Sequence, residues 1–209
     1  MNVIGFDDGP FGHAHRGDVL LVGAVCSRTR LDGVVSGRVR RDGHDATRRM
    51  IELVTAGPFR AHVRAVFLQG IAVAGFNVVD VHALSRALAV PVLVIVRRLP
   101  DLAAVRRALF STDPPGRPHV RGARRKWRLI EAAGALEPIG PSRRAERRAA
   151  PSGRPAPGPR LWIQRVGASV EEARRLLEAT TLHGQLPEPI RLAHIIAGGI
   201  ADGHSRGRA

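Results

Sequence analysis

The chain has 209 residues, 44% of them apolar, enough for one domain with a sizeable core. Its 33 Lys and Arg against 18 Asp and Glu leave a net charge of +15, carried almost wholly by arginine, which favours a polyanionic partner, with nucleic acid first. A lone cysteine, Cys26, excludes an internal disulfide and a cysteine-rich zinc site, and aromatic content of 4% with no tyrosine argues against a stacking platform for single strands. No apolar run approaches the length of a membrane span, and no basic segment followed by a long apolar core opens the chain. The expectation is a cytoplasmic protein with no membrane partner, and Cys26, in an apolar setting, reads as inert packing.

In chain order, Val3, Ile4 and Phe6 suit a buried strand that ends in Asp7-Asp8 and is stopped by Gly9-Pro10. An unpaired buried carboxylate is so costly that such a group is normally bonded, paired or bound to a cation. Asp8 suits capping of the Gly-Pro turn, which leaves Asp7 as the acid in need of a partner. Residues 18–26 and 31–39 read as second and third strands, and the short connections suggest an antiparallel meander. Residues 45–54 then place Met50, Ile51 and Val54 at helical spacing behind Asp45 as a cap. A fourth strand over 63–68, a helix over 80–88, a fifth strand over 91–96 and a helix over 101–110 follow.

Beyond this point the pattern loosens. Residues 111–126 carry much Pro, Gly and Arg, and a helix over 124–133 places Trp127 and Ile130 inward. Residues 141–160 are a low-complexity Arg/Pro-rich stretch with too little apolar area to order itself, read as a disordered insertion in an otherwise single domain spanning 1–209. Residues 161–166 form a sixth strand, Ser169 and Glu172 a capping box opening a helix through 179, and Pro189 the start of a last helix with Arg191 and His194 on neighbouring positions. Three strands, helix, strand, helix, strand, joined by right-handed crossovers, give an α/β ribonuclease H-like mixed sheet: three antiparallel strands, then parallel strands, flanked by helices. In that layout the first strand is central, the fourth lies beside it, and carboxylates at those strand ends hold a metal.

Four blocks go further: Gly5-Phe6-Asp7-Asp8-Gly9-Pro10-Phe11, Asp42-Gly43-His44-Asp45-Ala46-Thr47, the run from Gly70 through Gly75-Phe76-Asn77 to Asp80, and the run from His183 through Arg191 to His194. On these blocks, spread over nearly the whole length, the chain resembles the DUF99 family, also called UPF0215 or endonuclease dU, which is related to endonuclease V. The resemblance implies a ribonuclease H-like, metal-dependent endonuclease acting on nucleic acid, DNA first, at deaminated bases such as deoxyuridine. It implies Asp7 as the first-strand acid that binds Mg²⁺ or Mn²⁺, and Asp42 or Asp45 as the second acid; Asp45 equally suits helix capping. Where the family has a third acid, this chain has Gln69, whose amide oxygen can ligate Mg²⁺ without supplying charge. Arg191 and a histidine, His183 or His194, are candidates for phosphate binding or proton transfer, and Gly75-Phe76-Asn77 with Asp8 for contacts to a displaced base. His13 and His15 lie near the acidic turn, Asp80 suits an N-cap, and the alternative function is a nucleic-acid-binding protein that keeps the fold without cleavage.

Overall fold

The computed structural model describes residues 1–111, 120–140, 161–182 and 185–205. The opening apolar run forms β1 (Asn2–Asp8), and β2 (Asp18–Ser27) and β3 (Arg30–Arg40) complete an antiparallel meander in which Phe6 pairs with Gly23 and Asp7 with Val22. After α1 (Ala46–Ala56) the chain returns as β4 (Val63–Gln69), parallel to β1 on its free flank, with Phe6 opposite Leu68. A two-stranded hairpin, β5 (Ala72–Val73) and β6 (Asn77–Val78), leads into α2 (Val81–Leu88) and then β7 (Val92–Val96), parallel to β4. The two right-handed-crossover strands therefore lie where the element order places them.

The remaining elements extend this frame. Helices α3 (Leu102–Phe110) and α4 (Ala123–Ala132) are followed by β8 (Glu137–Ile139) and β9 (Leu161–Val166), and β9 runs antiparallel to β7 with β8 at the edge. The seven-stranded order is β3-β2-β1-β4-β7-β9-β8, a ribonuclease H-like mixed sheet. Strand β8 and the β5/β6 hairpin escape sequence reading because two or three residues carry no period. Helix α5 (Val170–Thr180) starts at the expected capping box, with Glu172 N–H donating to Ser169 Oγ and Ser169 N–H to Glu172 Oε2. Helix α6 (Glu188–Asp202) closes the described fold. The Arg/Pro-rich stretch 141–160 lies outside the described residues, and among those described no helix is long and apolar enough to cross a membrane.

Side-chain alternation divides the core into two layers. Ile4 and Phe6 of β1 join Met50, Val54, Leu84 and Leu88 beneath α1 and α2. Val3 joins Ala65 and Phe67 of β4 with Leu176, Leu177 and Ile190 beneath α5 and α6. Cys26 is buried as expected, and its thiol is pushed up to about 12 by burial first and by Glu188 and Asp32 next, so it is inert.

Helix α6 approaches β1 closely because residue 5 has no side chain. A Cβ there would meet the Pro189 carbonyl carbon at 2.3 Å and its oxygen at 2.5 Å, both backbone atoms that cannot step aside. Gly5→Ala should therefore destabilise the fold by about 2–3 kcal/mol in urea unfolding; a loss within the error of the measurement would mean that α6 sits farther out.

A candidate active site at the ends of the central strands

Parallel pairing brings the C-terminal ends of β1 and β4 side by side. Asp7 falls on the face covered by α6, and Gln69, two residues beyond Phe67, falls on the same face; Asp8 points to the other, with Phe6. Asp7, Asp8 and Gln69 line one cavity of about 700 Å³ together with the 9–12 turn and His194, Asp202 and His204. Asp7 is 8% exposed, and His194 Nδ1 lies 2.8 Å from its Oδ2, a charge-assisted contact that sets the imidazole's orientation.

The cavity has more acceptors than donors. Asp8 is raised to about 7, by burial first and by the neighbouring Asp7 carboxylate second, against the opposing effect of a hydrogen bond from the Ala74 N–H. Asp8 is thus tied to the β5/β6 loop through Ala74. Gln69 Oε1 is buried with no hydrogen-bond partner among the described residues. Two crowded carboxylates and an orphaned amide oxygen make an all-oxygen donor set of the kind that suits a hard divalent cation. Among the described residues no three His, Cys, Asp or Glu side chains gather as a ready metal cluster, so such a cation would rely on Gln69 and water to complete its shell.

The acids after the third strand sit elsewhere. Asp45 occupies the N-cap position of α1 but its side chain does not cap; it accepts from Arg40 N–H at 3.2 Å and Asn77 Nδ2 at 2.7 Å. Asp42, at φ 52°, accepts from the Phe76 N–H at 2.8 Å and pairs with Arg41 Nε at 3.3 Å. Neither lines the cavity at Asp7. They instead clamp the loop whose Ala74 N–H supports Asp8, and Asp42 N–H itself donates to Ala74 O.

That loop is not placed to read a base. Asn77 is fully buried, its amide donating to Arg40 O and Asp45 and accepting from Ala46 N–H at 3.1 Å. Phe76 packs against the small cluster of Leu109, Val120 and Ala123, and Gly75, at φ +82°, leaves room for Asp42 Oδ1, which a Cβ would meet at 2.5 Å. Arg191 likewise turns away: it grips Glu188, which is 2% exposed, with Nε at 3.0 Å from both carboxylate oxygens and Nη2 at 2.6 Å. The ion pair offsets the burial of Glu188, so Arg191 is committed to the fold. His183 lies outside the described residues. His13 and His15 belong to a loop whose backbone carbonyls accept from Arg41, and Asp80 caps α2 through the Ala83 N–H.

Asp202 and His204 are the cavity residues that sequence reading missed. Their signal was the spacing of His194, Gly198 and Asp202 at four-residue intervals, which puts all three on one stripe of α6.

Two outcomes follow from this geometry. An acid whose pKa rises on folding weakens the fold as pH climbs from about 4 to about 7, where the unfolded chain has already lost its proton. In chelating buffer Asp8→Asn should gain about 2 kcal/mol over the native chain at pH 8 and nothing at pH 4 in urea melts; equal gains at both pH values would refute the burial of that charge. Asn77→Ala, which strands Ala46 N–H, Arg40 O and Asp45 in the interior, should cost about 2–4 kcal/mol, whereas an exposed loop asparagine would cost almost nothing.

Comparison with known proteins places this geometry in context. The chain is 46% identical over 207 residues to a UPF0215 protein of Deinococcus radiodurans, covering 99% of this chain and 92% of that one. It is 37% identical over 210 residues to a UPF0215 protein of Methanothermobacter thermautotrophicus, with 100% and 92% covered. A crystal structure of a protein of unknown function from Archaeoglobus fulgidus superposes with a TM-score of 0.76 at 28% identity, over 95% of this chain and 97% of that one. Endonuclease V of Ciona intestinalis, in complex with a 24mer DNA containing an inosine, gives a TM-score of 0.52 at 14% identity, over 92% and 82%, and so shares the fold. The family model described as Endonuclease dU matches residues 1–201, and the chain belongs to that family.

Proposed function

We propose that this protein is a divalent-cation-dependent DNA-repair endonuclease that hydrolyses phosphodiester bonds near deaminated bases such as deoxyuridine. Family membership supports a nuclease, and the observation that carries the finer reading is the cavity at the ends of β1 and β4, where two carboxylates and an unpartnered amide oxygen gather. Asp7, Asp8 and the unpartnered oxygen of Gln69 are the groups that would hold Mg²⁺ or Mn²⁺. When bound, such a cation lowers the pKa of a coordinated water and offsets charge on the phosphate. Asp8 takes the part expected of Asp42 or Asp45, which are committed to the loop clamp.

The chain's own contribution is orientation and proton handling. Asp7 fixes His194 through Nδ1, which sets the direction of Nε2 as the nitrogen able to take a proton from water or return one to a leaving oxygen. The net charge of +15 draws a nucleic-acid strand toward the cavity and makes the attraction salt-sensitive. A second reading, a nucleic-acid-binding protein that keeps the fold without cleavage, is favoured by one observation: a neutral Gln69 stands at the end of β4 where a third acid would stand.

Labelled duplexes, plain or carrying deoxyuridine or deoxyinosine, and their RNA counterparts separate the readings when incubated with Mg²⁺, Mn²⁺ or chelator. Metal-dependent nicking is expected at the deaminated base in DNA, lost in Asp7→Ala and slowed about 10²–10⁴-fold in His194→Ala with binding retained. Gln69→Asp, by adding a charge, should lower the half-saturating Mg²⁺ concentration by about tenfold. Salt-sensitive binding with no nicking in any of these conditions would favour the second reading.

A further inference from the structure

On the face of the sheet opposite His194, the start of α1, the start of α2 and the length of α4 enclose a second cavity of about 300 Å³. Its floor includes Ile51, Val78 and Leu129, and its wall carries His44, Arg125 and Lys126. The acids that also reach it are already used. Asp80 accepts from the Ala83 N–H, and Glu52 is shared between Arg48 and Arg49.

Two cations and an imidazole therefore remain on the cavity wall without an ion-pair partner among the described residues. Arg125 is exposed and has no hydrogen bond or ion pair among the described residues. Lys126 is 2% exposed, and its ammonium donates to the backbone oxygen of Asp42, with no carboxylate within ion-pair distance among the described residues. An ammonium carries three N–H donors, so two are left over. Burying a cation whose one hydrogen bond goes to a neutral acceptor is costly; the Asp42 carboxylate, beyond ion-pair distance, offsets part of that cost, and an anion in the cavity would offset more. His44 feels the same field: partial burial first, then Lys126, Arg125 and Arg121, hold its pKa down, so that at neutral pH it is uncharged and can donate one N–H.

We propose that this cavity is a nucleotide site, in which Arg125, Lys126 and His44 hold a phosphate and Ile51, Val78 and Leu129 receive the attached sugar or base. A phosphate presents several strong acceptor oxygens, which suits a cavity lined by an arginine, a lysine and an imidazole. An apolar floor beside them selects a phosphate that carries an organic body over a bare inorganic ion. The phosphate belongs either to a nucleotide of a bound strand or to a free mononucleotide. The inference does not rest on cleavage at Asp7, since a chain that never cuts can still bind here.

The test is equilibrium binding in chelator, where cutting is suppressed. Three probes are used: a deoxynucleoside monophosphate by calorimetry, its phosphate-free nucleoside by the same method, and a fluorescein-labelled 12-mer single strand by anisotropy. Against the native chain stands the double variant Arg125→Ser/His44→Gln, which alters two exposed side chains and should melt as the native chain does; Arg64→Ser, at the far end of β4, controls for loss of charge alone. The double variant should bind the phosphate-bearing probe at least about tenfold more weakly, with a shallower salt dependence, while the nucleoside binds both proteins equally. Loss on the monophosphate assigns a free nucleotide, and loss on the 12-mer alone assigns a strand phosphate. The proposal is overturned if the double variant binds both phosphate-bearing probes like the native chain, or no more weakly than Arg64→Ser.

Discussion

Two adjacent carboxylates at the end of a buried strand repel each other, and the rest of this architecture can be read as the means by which that repulsion is contained. Alternation along β1 sends them to opposite faces, so each must find its own donor. Asp7 finds His194 on α6, which can approach only because Gly5 has no side chain. Asp8 finds the Ala74 N–H and still retains a proton near neutrality. Gln69 adds an amide oxygen with no hydrogen-bond partner among the described residues. The acid pair, its histidine and the orphaned amide oxygen thus meet at one cavity, at the ends of the two central parallel strands.

A frame stands behind this site. Asp42, Asp45 and Asn77 tie the end of β3, the start of α1 and the β5/β6 hairpin into one block, and Ala74 is the point at which that block touches Asp8. Lys126 fastens α4 to the same block through the Asp42 carbonyl. Residues that look like spare acids and loop amides are thus the support that holds the Asp8 carboxylate in place.

The sheet was legible because its strands are long apolar runs and its order follows from crossover handedness. Asp7 and Gln69 were legible as polar residues at strand ends, where a buried run gives no other reason for them. The roles of Asp42 and Asp45 were not, because an acid following a strand looks the same whether it binds metal, caps a helix or brackets a loop; the deciding contacts, Phe76 for Asp42 and Asn77 for Asp45, lie more than thirty positions away. Asn77 itself reads as turn chemistry, since burial by distant segments leaves no local trace. Arg191 and His194 were paired by their three-residue spacing, yet the cavity follows the four-residue stripe that leads to Asp202, and the ion pair with Glu188 takes Arg191 out of it.

The course of α6 sets an order of assembly. Asp7 precedes His194, its hydrogen-bond partner, by 187 positions, and Asp202 and His204 lie farther along still. A nascent chain therefore carries most of its basic surface, and a fully made three-stranded meander, before the histidine that orients its first acid has left the ribosome. The charge that attracts polyanions is thus in place before the Asp7–His194 contact can close.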